Sequence, residues 1–118
     1  MSKVTIYQKP TCSKCRLALA YLDEKGVEYD SIDYIKDTPP ANELKEMIQK
    51  MNVSPWNIIR SGEDIYKELG LKVKKATLTD DEIIEIMVKN PNLIQRPIIV
   101  KGDIVVIGRS DAKLAEIA

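Results

Sequence analysis

The two cysteines of the chain, Cys12 and Cys15, are separated by two residues and follow a short β-prone segment and Pro10. A helix that begins directly after this turn points unpaired backbone N–H groups and the positive end of its dipole at the first thiol. Such surroundings lower a thiol pKa from about 8.5 to roughly 3.5–7.5, so we expect Cys12 to be a nucleophilic thiolate at neutral pH. Cys15, one turn further, is placed to attack an adduct on Cys12 and close an internal disulfide. The spacing therefore predicts thiol redox chemistry.

Histidine is absent from the sequence, which narrows the chemistry further. Without an imidazole base, the Ser-His-Asp and Cys-His hydrolase mechanisms are excluded. A closed zinc site usually takes four ligands from Cys, His and carboxylate side chains. With two cysteines and no histidine we predict no metal site within one chain, although a site shared between two chains stays open.

Three arginines stand next to predicted loops or turns: Arg60, Arg96 and Arg109. Arginine forks bind tetrahedral oxyanions through pairs of hydrogen bonds, and a helix N-terminus supplies further donors. We expect the three side chains to form an anion pocket over the Cys12 thiolate.

Arg96 immediately precedes Pro97. Because cis peptide bonds are essentially confined to X–Pro positions, we predict that this bond is cis. In the predicted fold the loop that contains it lies beside the start of the first helix, so we expect it to face Cys12.

Composition predicts one ordinary globular domain, residues 1–118, with 44% hydrophobic residues and 18 basic against 18 acidic side chains. Zero net charge offers no electrostatic reason to expect nucleic acid or a membrane surface as a partner. No segment has the length of a signal peptide or a membrane span, so we expect a cytoplasmic monomer. In a reducing cytosol a Cys pair is more often catalytic or metal-binding than a structural link.

Hydrophobic periodicity and turn residues predict an α/β chain in the order βαβ, several helices, then ββα. The simplest assembly is a thioredoxin-like, four-stranded mixed sheet with a helical insertion at about residues 38–90. In the first helix the pattern places Leu17, Ala18, Tyr21 and Leu22 on one apolar face.

Four segments, spread in order over nearly the whole chain, carry a family resemblance. They are Tyr7-x-x-Pro10-x-Cys12-Ser13-x-x-Arg16, Ile59-Arg60 with Glu68-Leu69-Gly70-Leu71, Leu93-Ile94-x-Arg96-Pro97-Ile98, and Ile107-Gly108-Arg109. Together they resemble the glutaredoxin-linked arsenate reductases, the ArsC-like family of the thioredoxin-fold superfamily.

This resemblance implies that Cys12 attacks arsenate while Arg60, Arg96 and Arg109 hold the oxyanion and the arsenite adduct. It also implies that no cofactor is bound and that glutathione with glutaredoxin, or thioredoxin, donates the electrons.

Two positions depart from the best-known members: Gln8 stands where they carry a histidine, and Cys15 where they carry a serine. The Cys-x-x-Cys pair instead resembles Spx, a relative that uses such a pair as a redox switch and binds the RNA polymerase α subunit. Arg109 after Gly108 matches the reductases and not Spx, and Arg60 points the same way more weakly.

We therefore interpret the chain as a thiol-dependent oxidoreductase resembling arsenate reductase, with Cys12 as nucleophile and Cys15 or glutathione as the resolving thiol. Two alternatives remain. One is an Spx-like redox-sensing regulator that binds the polymerase α subunit, and the other is a general glutaredoxin-like disulfide reductase that handles no oxyanion.

Overall fold

The computed structural model describes residues 3–118, so residues 1 and 2 of the predicted domain lie outside the described part. The strands are β1 (Val4–Gln8), β2 (Tyr29–Asp33), β3 (Ile98–Lys101) and β4 (Ile104–Ile107). The α-helices are α1 (Ser13–Glu24), α2 (Ala41–Met51), α3 (Asp64–Glu68), α4 (Leu71–Lys74), α5 (Asp80–Lys89) and α6 (Asp111–Ala115). Two 3₁₀ helices span Pro55–Ile58 and Pro91–Leu93.

The chain divides into two compact units. The first contains the segment up to Asp37 together with Arg96–Ala118, and the second is Thr38–Gln95. The assignment of the whole chain to one domain, with an insertion at about residues 38–90, stays a prediction. Within residues 3–118 no helix is both long enough and apolar enough to cross a membrane.

All four strands belong to the first unit and form one mixed sheet in the order β2-β1-β3-β4. The strands β1 and β2 are parallel, while β1 with β3 and β3 with β4 are antiparallel. A parallel pair needs a crossover connection, which α1 provides. The predicted four-stranded mixed sheet, built from a βαβ unit and a ββα unit, is confirmed.

Helix α1 packs on the sheet through Cys15, Ala18 and Leu22, all 0% exposed. Their spacing of three and four residues places them on one face of a helix. The predicted apolar face is wrong at Leu17, which is 61% exposed. The helix ends before Gly26, whose φ of +69° is the left-handed conformation that glycine adopts at a helix C-terminus.

The carboxyl ends of β1 and β2 meet at one edge of the sheet, where Gln8 pairs with Asp33. The antiparallel strand β3 starts at the same edge, because Ile98 pairs with Tyr7. This edge therefore brings together the turn before α1, the residues that follow β2 and the segment that precedes β3.

The second unit is helical. Helix α2 packs against α5, and α5 also contacts both 3₁₀ helices. Thr79 precedes α5 and forms a capping box, in which its hydroxyl accepts from the Glu82 N–H and the Glu82 carboxylate accepts from the Thr79 N–H.

Gly108 directly follows β4 and lies against side chains of β3 and α6. A Cβ at this position would stand 2.6 Å from Ile99 Cδ1 and 3.0 Å from Leu114 Cδ2, both core side chains. We expect Gly108→Ala to lower the free energy of unfolding by about 1–3 kcal/mol through overpacking, as measured by urea denaturation.

Ile99→Val removes the nearer of those carbon atoms, so the double variant should lose less stability than the sum of the two single variants. Gly62→Ala is the matched control, because nothing lies within 4 Å of its added Cβ. Strict additivity of the Gly108 and Ile99 substitutions would contradict this account of the contact.

Candidate active site

Cys12 is the residue that precedes helix α1. The turn after β1 is closed by a hydrogen bond from the Cys12 N–H to the Lys9 carbonyl at 2.9 Å. Cys12 keeps an extended conformation, with φ −86° and ψ 124°, and its carbonyl accepts the first helical bond from Arg16. The sequence Lys9-Pro10-Thr11 thus places a half-buried thiol at the start of a helix, as predicted.

The pKa of Cys12 is lowered to about 6 by its surroundings. Partial burial acts in the opposite direction, because it disfavours the charged thiolate. The backbone N–H of Cys15, the Arg96 guanidinium, the Cys15 thiol and the backbone N–H of Lys14 together outweigh it. At neutral pH the sulfur is therefore predominantly a thiolate.

Cys15 is the opposite case. Burial, and after it the neighbouring Cys12 sulfur, raise its pKa to about 11. The Lys9 backbone N–H, which donates to Cys15 Sγ at 3.5 Å, opposes this shift. The two sulfurs lie within hydrogen-bonding reach of each other. The pair therefore holds one proton at neutral pH, on Cys15, and that S–H group donates to the Cys12 thiolate.

Arg96 provides the positive charge beside the thiolate. Its side chain is only 6% exposed, its guanidinium reaches the Cys12 sulfur, and its Nη1 donates to the hydroxyl oxygen of Tyr34 at 3.2 Å. Burial acts to lower the pKa of Arg96, but the contacts with Tyr34 and Cys12 outweigh burial and raise it. The Arg96–Pro97 peptide bond is cis, as predicted.

Arg109 is hydrogen-bonded to the backbone of Arg96. Its Nη1 donates to the backbone carbonyl of Arg96 at 2.8 Å, and the preceding Gly108 N–H donates to the Pro97 carbonyl at 2.9 Å. Arg109 itself is exposed. The exposed Arg109 guanidinium is thereby held at the backbone of Arg96, the residue whose side chain contacts the Cys12 thiolate.

Arg60 belongs to the second unit. Its backbone N–H donates to the Leu93 carbonyl at 2.7 Å. Its guanidinium donates to Gln95 Oε1 at 2.9 Å and forms an ion pair with Glu63 at 3.4 Å. Within that unit Arg60 therefore has fixed partners, one of them a carboxylate.

The first unit thus brings together Cys12, Cys15, Arg96 and the Arg109 backbone contact. In residues 3–118 no group of three or more His, Cys, Asp or Glu side chains is placed to hold a metal ion. A thiolate beside a buried guanidinium and helix N–H groups is suited to attack an anion that would otherwise be repelled.

Two residues near this edge of the sheet were missed as site residues. Tyr34 directly follows β2 and reaches Arg96, while Gln8 ends β1 as a buried side chain whose Nε2 donates to Ser31 Oγ at 3.0 Å. The sequence could have indicated Tyr34, because the carboxyl ends of neighbouring parallel strands lie at one edge of a sheet and Tyr34 directly follows β2.

The sequence was compared with protein families and with known proteins, and it matches one family over nearly its whole length. The model of the ArsC family matches residues 7–117. A protein encoded in the glnII region of Streptomyces viridochromogenes is 38% identical over 108 residues, covering 90% of this chain and 91% of its own. An arsenate reductase of Neisseria meningitidis serogroup A is 33% identical over 110 residues, covering 92% of each chain.

Among solved structures, an arsenate reductase from Vibrio cholerae has 35% identity and a TM-score of 0.92, covering 99% of this chain and 98% of its own. Likeness over this length confirms the predicted thioredoxin-like fold class.

The lowered pKa of Cys12 predicts how fast it is alkylated at different pH values. Iodoacetamide reacts with the thiolate, so the rate should rise about tenfold per pH unit below a midpoint near 6 and level off above it. Arg96→Gln removes a charge that favours the thiolate, so the midpoint should move upward. The rate is followed by intact-protein mass spectrometry across a pH series.

Cys12→Ser is the control and should lose labelling at neutral pH, because Cys15 is buried and burial raises its pKa even without the Cys12 sulfur. A wild-type midpoint at the ordinary thiol value, or an unchanged midpoint in Arg96→Gln, would contradict the electrostatics described.

Proposed function

The chain belongs to the ArsC family, and from this premise we propose that it is a thiol-dependent oxidoreductase that reduces arsenate to arsenite. The observation that supports the proposal is the half-buried Cys12 thiolate, with a pKa of about 6, in contact with the buried Arg96 guanidinium. Arsenate is a tetrahedral oxyanion, the class of ligand that arginine forks and helix N-terminal N–H groups bind.

In the first step arsenate binds beside Cys12 with its oxygens on Arg96. The reaction joins two anions, so positive charge held in place before the substrate arrives lowers the barrier. Arg96 meets this requirement because it is buried, charged and hydrogen-bonded. Arg109, whose guanidinium is anchored on the Arg96 carbonyl, is proposed as a second oxyanion ligand. The family resemblance assigns the same role to Arg60.

In the second step the Cys12 thiolate attacks arsenic and an arsenate oxygen leaves as water after protonation. The product is a covalent adduct with a sulfur–arsenic(V) bond on Cys12. No electrons have been transferred to arsenic at this stage.

In the third step a second thiol attacks the Cys12 sulfur, breaks the sulfur–arsenic bond and releases arsenite. The two electrons of that bond stay on arsenic, which becomes arsenic(III), and the two thiols become a disulfide. Cys15 or glutathione is the resolving thiol. Glutaredoxin with glutathione, or thioredoxin, then reduces the disulfide.

The first prediction from this proposal concerns arsenate turnover. Arsenate-dependent oxidation of reductant should be absent in Cys12→Ser, and kcat/KM should fall by about 10²–10³-fold in Arg96→Ala, because charge stabilisation of the transition state is lost. The assay couples arsenate reduction to NADPH consumption, with the glutaredoxin–glutathione and thioredoxin systems supplied in turn.

Lys113→Ala is the control for Arg109→Ala, because it removes a nearby exposed cation on α6. We expect Arg109→Ala and Arg60→Ala to raise the KM for arsenate while Lys113→Ala leaves it unchanged. If no reductant supports arsenate-dependent turnover by the wild-type protein, the proposed function is wrong.

A second prediction concerns the resolving role of Cys15. When reduced protein meets arsenate without any external thiol, the wild type should form one Cys12–Cys15 disulfide per chain, seen by mass spectrometry as the loss of two hydrogens. Cys15→Ser should keep a reactive Cys12 but form no internal disulfide, because the second sulfur is missing.

Adding glutathione should restore turnover to Cys15→Ser, since an external thiol can take the place of the internal one. Turnover by this variant at the wild-type rate with thioredoxin alone would rule out the resolving role.

One observation also supports the general disulfide reductase, namely a low-pKa thiolate in contact with a buried, protonated thiol. Such a pair can reduce a protein disulfide without binding an oxyanion. Reduction of insulin disulfides by the wild type, unaffected in Arg109→Ala and without arsenate turnover, would favour this second function.

A further inference from the structure

We propose that Tyr34 is a positioning residue that holds the Arg96 guanidinium in place against the Cys12 sulfur. Tyr34 lies outside the cysteine–arginine set described above, and its role is to act through Arg96 rather than to touch the reacting atoms. The proposal rests on the contacts of Tyr34 at one end and of Arg96 at the other.

The hydroxyl of Tyr34 accepts a hydrogen bond from Arg96 Nη1 at 3.2 Å, and both side chains are buried, at 2% and 6% exposure. A hydrogen bond to a charged group in a buried place is worth more than one at the surface, since water does not compete for the donor. The Tyr34 oxygen therefore fixes one edge of the guanidinium.

The backbone around Tyr34 is itself held firmly. Its N–H donates to the carbonyl of Gln8, the last residue of β1, at 3.2 Å. The preceding Asp33 accepts from the N–H groups of Ile35, Lys36 and Asp37 through its side chain and carbonyl. Tyr34 is thus anchored to the end of the same strand that leads into the Cys12 turn.

The same guanidinium also contacts the Cys12 sulfur. Arg96 therefore spans from the end of β2 to the start of α1. An arginine side chain has several rotatable bonds and loses rotamer entropy when it is fixed. A partner that fixes it beforehand spares this cost at the moment the thiolate forms or an anion binds.

The charged and titratable groups that bear on Cys12 are Arg96 and Cys15, together with the N–H groups of Lys14 and Cys15. Tyr34 is not among them, so its removal should alter Cys12 only through Arg96. This gives the proposal a specific signature that a purely structural role of Tyr34 would not produce.

The test is the pH dependence of Cys12 alkylation in Tyr34→Phe. The phenyl ring keeps the packing and removes only the hydroxyl, so we expect the midpoint to move from about 6 towards about 7, as Arg96 loses its fixed position. Tyr29→Phe is the matched control, because it removes the hydroxyl of a tyrosine within β2 that donates to Asp23, and it should leave the midpoint unchanged.

The same substitution is then made in the Arg96→Gln background, where Tyr34 has no guanidinium to hold. We expect Tyr34→Phe to cause no further change there. An unchanged midpoint in Tyr34→Phe alone, or an equal change in both backgrounds, would overturn the proposal.

A measurement that needs no Tyr34 substitution covers the case in which Tyr34→Phe does not fold. NMR of the arginine side chains should show restricted rotation of the Arg96 guanidinium in wild-type protein and also in Cys12→Ser, since Tyr34 remains. Free rotation in Cys12→Ser would mean that the thiolate alone holds the arginine, and would overturn the proposal.

A further measurement, the KM for arsenate, rests on the proposed function. With arsenate as substrate, Tyr34→Phe should raise KM several-fold while Tyr29→Phe does not. Because the alkylation and NMR tests use no arsenate, a protein that fails to reduce arsenate can still confirm or refute the role of Tyr34.

Discussion

The contact between the Cys12 sulfur and the Arg96 guanidinium is the interaction on which the chemistry of this chain depends. A half-buried thiol would ordinarily be protonated, because burial disfavours its charge. The buried guanidinium and the helix N–H groups reverse that preference. The fold supplies them by bringing the end of β1, the end of β2 and the start of β3 to one edge of the sheet. The strand arrangement thereby places the groups that keep the Cys12 sulfur ionised.

The second sulfur has a different charge state because it lies one helical turn deeper. Cys15 is fully buried on the face of α1 that packs against the sheet, while Cys12 stands at the helix start. Burial keeps Cys15 protonated, and its S–H group stabilises the neighbouring thiolate. Loss of the Cys12 charge, by reaction or protonation, removes the influence that raises the Cys15 pKa beyond the effect of burial. The charge states of the two sulfurs therefore differ because one sulfur lies deeper than the other, although the residue type is the same.

Much of this arrangement follows from local sequence patterns. Strand alternation, the Cys-x-x-Cys turn and the Arg96–Pro97 dipeptide predict the strands, the thiol at a helix start and the cis bond, since each depends on residues close together in the chain. Tyr34 and Arg96 are 62 positions apart, so only the tertiary fold reveals their hydrogen bond. Helical periodicity predicts that Leu17 belongs to the apolar face of α1, but Cys15 lies on the buried face and Leu17 is exposed. Arg60 contacts Glu63 and Gln95. Because Gln95 is 35 residues away in the chain, hydrophobic periodicity could not predict that contact.

The most direct test of the central claim is a pH titration of both thiols by NMR, with isotope-labelled cysteine and assignment through Cys12→Ser and Cys15→Ser. The β-carbon of Cys12 should titrate with a midpoint near 6, while that of Cys15 stays in its protonated position well above neutral pH. Two β-carbons that titrate together at about 8.5, the ordinary value for a thiol, would contradict the account.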